Sequence, residues 1–234
     1  MTVSLLLERT DDLLEKLYRA LPAPNPTLLF ETTELQRYRE QSPIWLNGAA
    51  SAEVVELMRG APRQWPGLII ESQAPDETLL SHLRHILFVY FDKDRRGVLR
   101  YTSPTTASYF FTVDDPGLRS TWLGPIARIA WHGGTWQEVA QGNLQWFTLD
   151  NSAAIAWQAP PEQRTLTLNA VQAGALQRQQ KEQFIYQWWS KQAEVSFATA
   201  EHFVNEGISK GLVEATVLTQ YLALRAHQDK ESLI

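Results

Sequence analysis

The stretch Gly67-Leu68-Ile69-Ile70-Glu71-Ser72-Gln73-Ala74-Pro75-Asp76-Glu77 passes from a β-rich apolar run through turn chemistry into an acidic helix start. Leu79, Leu80, Leu83, Ile86 and Leu87 then recur at three- and four-residue spacings, which sets them on one helical face. Acidic residues in the first turn suit the positive end of the helix dipole. The unit is therefore strand, turn, helix. Two further β-rich runs, Phe88 to Phe91 and Gly97 to Tyr101, flank Asp92-Lys93-Asp94-Arg95-Arg96 and predict a hairpin. Upstream, strand-sized runs at Thr27 to Phe30 and Ile44 to Leu46 alternate with helical patterns at Glu34 to Gln41 and Ser51 to Gly60, the latter capped by Ser51. At the N-terminus, Leu6, Leu7, Leu13, Leu14, Leu17 and Leu21 predict an amphipathic helix over Ser4 to Leu21. Pro22, Pro24 and Pro26 end it.

Downstream, Pro104 opens a helix through Phe111, Asp114-Asp115-Pro116-Gly117 is a turn, and Ile126 to Trp131 reads as extended. Trp136, Leu144, Trp146, Phe147, Ile155 and Trp157 lie in short segments punctuated by Gly133-Gly134 and Gly142, and Pro160-Pro161 closes the region. Thr165 to Asn169 remains extended, and from Ala170 to His227 the pattern is helical. The predicted fold class is α+β with two lobes: residues 1–161, a mixed α/β lobe with a small sheet, and residues 162–234, all helical.

Composition narrows the function. The 234 residues hold no cysteine, which excludes thiol nucleophiles, thiolate zinc sites and disulfide scaffolds and fits a reducing, cytoplasmic setting. A formal charge of −5 argues against the broad basic surface that nucleic acid or an anionic membrane requires. Met1 to Leu7 lacks the basic residues and cleavage pattern of a signal peptide, and no apolar run approaches the ~20 residues of a spanning helix. Nine Trp, seven Tyr and nine Phe exceed ordinary aromatic usage, enough to fill a core and also to furnish a partner-facing surface.

Catalytic patterns are scarce. Asp92 to Gly97 starts like a calcium loop, but Arg96 and Ser103 stand where it needs ligands. His82 and His85 share a helical face without a third metal ligand, and are expected to face solvent. Asp11-Asp12 and Asp114-Asp115 are adjacent pairs whose side chains diverge. Nucleophile elbows, phosphate loops and dinucleotide fingerprints do not occur. No cofactor or metal is expected. Trp188-Trp189, about 100° apart on a helix with Phe184 and Ile185 beside them, form the candidate partner-binding surface.

A set of short motifs in order carries a family likeness: Leu29-Phe30-Glu31-Thr32-Thr33, Ser42-Pro43-Ile44-Trp45-Leu46, Gly67 to Ser72, His82-Leu83-Arg84-His85-Ile86-Leu87-Phe88-Val89, Val98-Leu99-Arg100-Tyr101 followed by Pro104, and Gly124-Pro125-Ile126. In order and spacing they resemble the bacterial effector chaperones, or adaptors, of the type VI secretion system. Where that family usually has Asp before the proline and Arg after it, this chain has Ser103 and Thr105. The resemblance implies a non-enzymatic protein that holds a toxic effector in the producing cell and helps load it onto the spike protein, a further candidate partner.

The same resemblance marks Pro43, Arg84, Arg100, Tyr101, Pro104, Gly124 and Pro125 as structural motif residues. Arg100 and Tyr101 are expected to hold the α/β lobe together, and the helical lobe to select the cargo through Trp188 and Trp189. An immunity-type protein that neutralises a toxin, or a hydrolase with a dispersed Asp, Glu and His site, are the alternative readings.

Overall fold

The computed structural model describes residues 1–92, 95–115, 117–160, 164–192 and 195–231. Its elements establish an α+β fold: a six-stranded antiparallel sheet with flanking helices, followed by three helices. The sheet comprises β1 (Thr2–Leu7), β2 (Thr27–Leu28), β3 (Ile44–Leu46), β4 (Gly67–Ser72), β7 (Ile126–Gly133) and β8 (Gln145–Asp150), in the spatial order β2-β3-β1-β4-β7-β8. A second sheet pairs β5 (Phe88–Phe91) with β6 (Arg95–Val98) antiparallel and with β9 (Leu166–Thr167) parallel.

Alternation along the central strands separates two cores. Leu5 and Leu7 of β1, Ile44 and Leu46 of β3 and Ile69 of β4 face α1 (Leu13–Ala20) and α2 (Gly48–Gly60), where Leu13, Leu17, Val54 and Met58 meet them. Leu6, Trp45, Leu68, Ile70, Ile129 and Trp131 point the other way, toward α3 (Asp76–His85) and α4 (Pro104–Phe110). The register keeps each set together: Leu5 lies opposite both Leu46 and Ile69, and Leu6 opposite Trp45 and Leu68.

The helix expected over Ser4 to Leu21 is instead a strand and a helix. β1 is central and buried on both faces, so its leucines form an unbroken run rather than an alternating one, and that run imitates part of a helical stripe. Trp136 begins another unforeseen helix, α5 (Trp136–Gln141). Thr135 caps it by accepting from the Glu138 backbone N–H, while the Glu138 carboxylate accepts from the Thr135 N–H at 2.6 Å. Glu34 to Gln41 forms only a 3-10 turn, Gln36–Gln41, and α2 starts at Gly48, which puts residue 51 inside the helix rather than at its cap. The hairpin pairs Phe88 with Val98 and Phe91 with Arg95, so Arg100 and Tyr101 lie beyond β6 and not within it. Lys93 and Asp94 of the calcium-like loop, and Pro161 and residue 162 at the expected lobe boundary, lie outside the described residues.

The chain divides into two compact units. Met1–Gly134 and Leu144–Leu176 make the first; Thr135–Asn143 and Gln177–Ile234 make the second, so the division falls within α6 (Ala170–Trp189) and assigns α5 to the second unit. That unit also contains α7 (Phe197–Ser209) and α8 (Ala215–Glu231). Its core is Ile185, Trp188, Phe197, Ala200, Phe203, Val204, Leu218, Leu222 and Ala226. α7 and α8 pack closely at Gly207, where a side chain would meet Leu218 Cδ1 at 2.5 Å.

Candidate functional site

Four of the motif residues of the first unit, Pro43, Arg84, Tyr101 and Pro104, make hydrogen bonds that link its elements. Arg84 donates from Nε to the Leu29 carbonyl (3.1 Å) and from a terminal nitrogen to the Leu28 carbonyl (3.3 Å), fastening α3 to the β2 edge. The Pro43 carbonyl accepts from the Leu29 N–H and from the Ser42 hydroxyl. Tyr101 is fully buried. Its hydroxyl donates at 2.7 Å to the Leu83 carbonyl in the last turn of α3, where carbonyls lack helical partners. Burial pushes its phenol well above its ordinary pKa. Pro104 starts α4, and its carbonyl accepts from Ser108, whose hydroxyl in turn accepts from the Trp131 indole (2.9 Å).

His82 is not at the surface. Its relative exposure is 4%; it donates from Nε2 to the Trp122 carbonyl (2.9 Å) and meets the Trp157 ring edge-on. Burial, partly offset by that hydrogen bond, lowers its pKa to about 4, so it stays neutral at pH 7. The solvent-facing pair read from the sequence is thus split: His82 packs inward beside Gly124, and His85 remains half-buried. Arg100 differs too. It is mostly exposed, with one ion pair to Glu8 at 4.0 Å, too long and too wet to hold the lobe together by itself.

A polar groove of about 510 Å³ lies between the turn at Thr32 and α3, lined among others by Glu34, Arg84, His85, Phe88 and Arg96. Its cations are already engaged. Arg96 forms two 2.8 Å bonds to the Glu34 carboxylate and covers the Phe88 ring, while Arg84 holds backbone carbonyls. What remains is a surface of mixed charge rather than an anion cradle. Thr32 sits at its rim with φ +61°, a left-handed conformation rare for a β-branched residue. A second groove, about 780 Å³, runs between α1 and α2, with Lys16 and Arg19 on one wall and Glu53, Glu56 and Leu57 on the other. Among the described residues no group of three or more His, Asp or Glu could hold a metal ion, and no helix is long and apolar enough to cross a membrane.

The helical unit rearranges the candidate partner-binding residues. Ile185 (0% exposed) and Trp188 (7%) belong to its core, under the surface they were expected to form. Phe184 is half-buried against that core. Trp189 is also half-buried: its indole N–H donates to the Val195 carbonyl at 2.8 Å, and its ring lies between Tyr186 and Phe197. The Trp189 indole therefore ties the end of α6 to Val195, just ahead of α7. The residues left in solvent are different ones. Val217 and Leu224, seven apart and so on one face of α8, are 39% and 65% exposed, and Val213 just ahead of the helix is 79% exposed. Leu218, Leu222 and Ala226 bury the opposite face. The signal was present in the sequence as a helix apolar on two sides, of which its own unit can cover one.

An ion cluster fastens α7 to α8. The Glu206 carboxylate accepts from Lys210 (2.7 Å) and from Arg225 (3.1 Å), and Lys210, the Tyr221 hydroxyl and Arg225 together hold its pKa down at about 2.

A family model described as a domain of unknown function (DUF4123) matches residues 4–120, from β1 into the π-helical turn Leu118–Leu123. No curated protein and no solved structure matches the chain.

Proposed function

Since the chain belongs to the DUF4123 family, a domain of unknown function whose model spans residues 4–120, we propose that it is a non-enzymatic adaptor. It binds a type VI secretion effector in the cytoplasm of the producing cell and helps load it onto the spike. The observation that carries the reading is the apolar face left open by α8, Val217 with Leu224, in a unit outside the family match. The ordered motifs from Leu29 to Ile126 support it from the side of the resemblance. Exposed aliphatic residues on a helix suit an amphipathic or extended segment of a partner, because such contacts draw their affinity from a few desolvated anchors.

In this reading the motif residues build a common scaffold and the helical unit selects the cargo. The test is a deletion of the gene in a secretion-competent bacterium, with the effectors of the secretome quantified. Loss of one effector while the spike is still secreted is expected, together with co-purification of that effector with this protein. Delivery of every effector at the parental level would overturn the reading. A bound toxin that stays inhibited and never reaches the spike would replace it with an immunity role.

A further inference from the structure

We propose that the open edge of β8 is a homodimer interface, at which a second copy of this chain pairs antiparallel about a two-fold axis through Thr148. The inference starts from which backbone groups the sheet leaves over. Asn151 donates its N–H to the Ala127 carbonyl at 2.8 Å, and the β7–β8 register places Asp150 opposite Arg128 and Gln145 opposite Gly133. In an antiparallel ladder, hydrogen-bonded pairs alternate with non-bonded ones. Gln145, Phe147 and Leu149 thus bond to β7, whereas Trp146, Thr148 and Asp150 turn their N–H and C=O groups outward. All three are exposed, and outside the β7–β8 ladder no backbone group among the described residues bonds to them.

An open edge of this kind is ordinarily blunted. The opposite edge of the sheet, β2, is two residues long. In the smaller sheet, β9 is equally short and β6 carries Arg95 and Arg96. β8 has none of these devices. It runs for six residues, contains neither proline nor lysine, and pairs with β7 without a bulge. Its one charged residue, Asp150, is neutralised by Arg128 at 2.6 Å.

The sequence of β8 is complementary to itself in one register. With the axis at Thr148, all three outward residues are used on both copies: Trp146 faces Asp150 of the second copy, Thr148 faces Thr148, and Asp150 faces Trp146, each pair exchanging two backbone hydrogen bonds. On the other side of the sheet Phe147 falls opposite Leu149, so the apolar layer that these residues extend from the core continues across the axis. Thr beside Thr and aromatic beside aliphatic are favourable neighbours, and no like charges meet. Moving the axis to Phe147 or Leu149 leaves outward groups unpaired, and moving it to Asp150 sets two carboxylates against each other. The contact is small, so the dimer forms reversibly with concentration.

The test is sedimentation velocity on the full chain over a dilution series. The parental protein is expected to pass from monomer to dimer. Thr148→Pro removes an N–H that β7 does not use, and Thr148→Lys places two cations at the axis; both are expected to stay monomeric throughout with unchanged circular dichroism. Because the chain has no cysteine, Thr148→Cys with a short bismaleimide gives an independent readout should either variant fold poorly. A cross-linked dimer is expected there, and none from Tyr18→Cys on exposed α1. A parental protein that is monomeric at every concentration would overturn the proposal. So would a dimer that survives both variants and does not cross-link at position 148. If the protein alone is monomeric and Thr148→Pro abolishes effector capture, the edge belongs to an effector strand and the second copy is excluded; the adaptor reading would stand.

Discussion

His82 occupies the space that a side chain on Gly124 would fill: a Cβ built there lies 2.5 Å from the His82 Cε1. Gly124 also has φ +51°, so two independent requirements select glycine at this position. Gly124→Ala is expected to cost about 2–4 kcal/mol, the sum of a left-handed alanine and an overpacked imidazole. Chemical denaturation at pH 7 measures it. A loss within ordinary surface scatter would show that the imidazole moves aside freely.

The same histidine gives a pH dependence with a definite sign. Burial keeps its folded pKa at about 4, below the 6.5 of the unfolded chain, so the unfolded state takes up a proton first as the pH falls. Its contribution is complete above pH 6.5 and is lost progressively toward pH 4, on the order of 3 kcal/mol over the window. Half-buried His85 shifts in the same direction. The contribution of His82 is therefore read as the difference between the parental protein and His82→Gln, with denaturation midpoints compared at pH 7 and pH 5. Parallel pH profiles for the two proteins would contradict the assignment.

Tyr101 and Arg100 are neighbours with unequal weight. Tyr101→Phe leaves the Leu83 carbonyl without its 2.7 Å donor in a fully buried setting and should destabilise by about 1–3 kcal/mol. Arg100→Ala loses only the 4.0 Å pair with Glu8, and a change below about 1 kcal/mol is expected. Calorimetry on the two variants ranks them. The reverse order would restore to Arg100 the scaffold role that its place in the motif implies.

Thr32 pays for its left-handed backbone and is held there by its neighbours. The Thr33 N–H and hydroxyl both donate to the Phe30 carbonyl, and the Leu35 N–H donates to the Thr33 hydroxyl, which fixes the turn around it. Thr32→Gly relieves the strain and should raise stability by about 1 kcal/mol. A destabilised variant would mean that the threonine side chain contributes more than its backbone costs.

Local chemistry made some of this architecture legible. Leu68 to Glu71 is a strand and Asp76 to His85 a helix because a short apolar run and an acidic first turn identify themselves without tertiary help. β1 was hidden for the opposite reason, since a doubly buried strand carries no alternation and its leucines fit a helical stripe equally well. Thr135 and Glu138 have the spacing of a capping box, but Gly133-Gly134 and Gly142 on either side divide the region into short segments that do not reveal α5. The candidate site was harder. Which of two apolar faces on a helix is covered depends on the helices packed against it, and neither the burial of Ile185 and Trp188 nor the exposure of Val217 and Leu224 follows from periodicity alone.

That distinction separates stability from binding in the helical unit. Trp188→Ala empties a core position and should cost about 3–5 kcal/mol, with any loss of effector capture following the loss of folded protein. Val217→Asp with Leu224→Asp alters only solvent-facing positions, so the melting temperature should stay near the parental value while capture of the effector falls at least tenfold, because anchors of this kind cannot bind once they carry a charge. The decisive comparison is affinity per mole of folded protein, with circular dichroism on the same samples. If the double variant captures the effector as the parental protein does, α8 is not the selecting surface. If folded Trp188→Ala binds normally, the indole serves the core of its own unit and nothing beyond it.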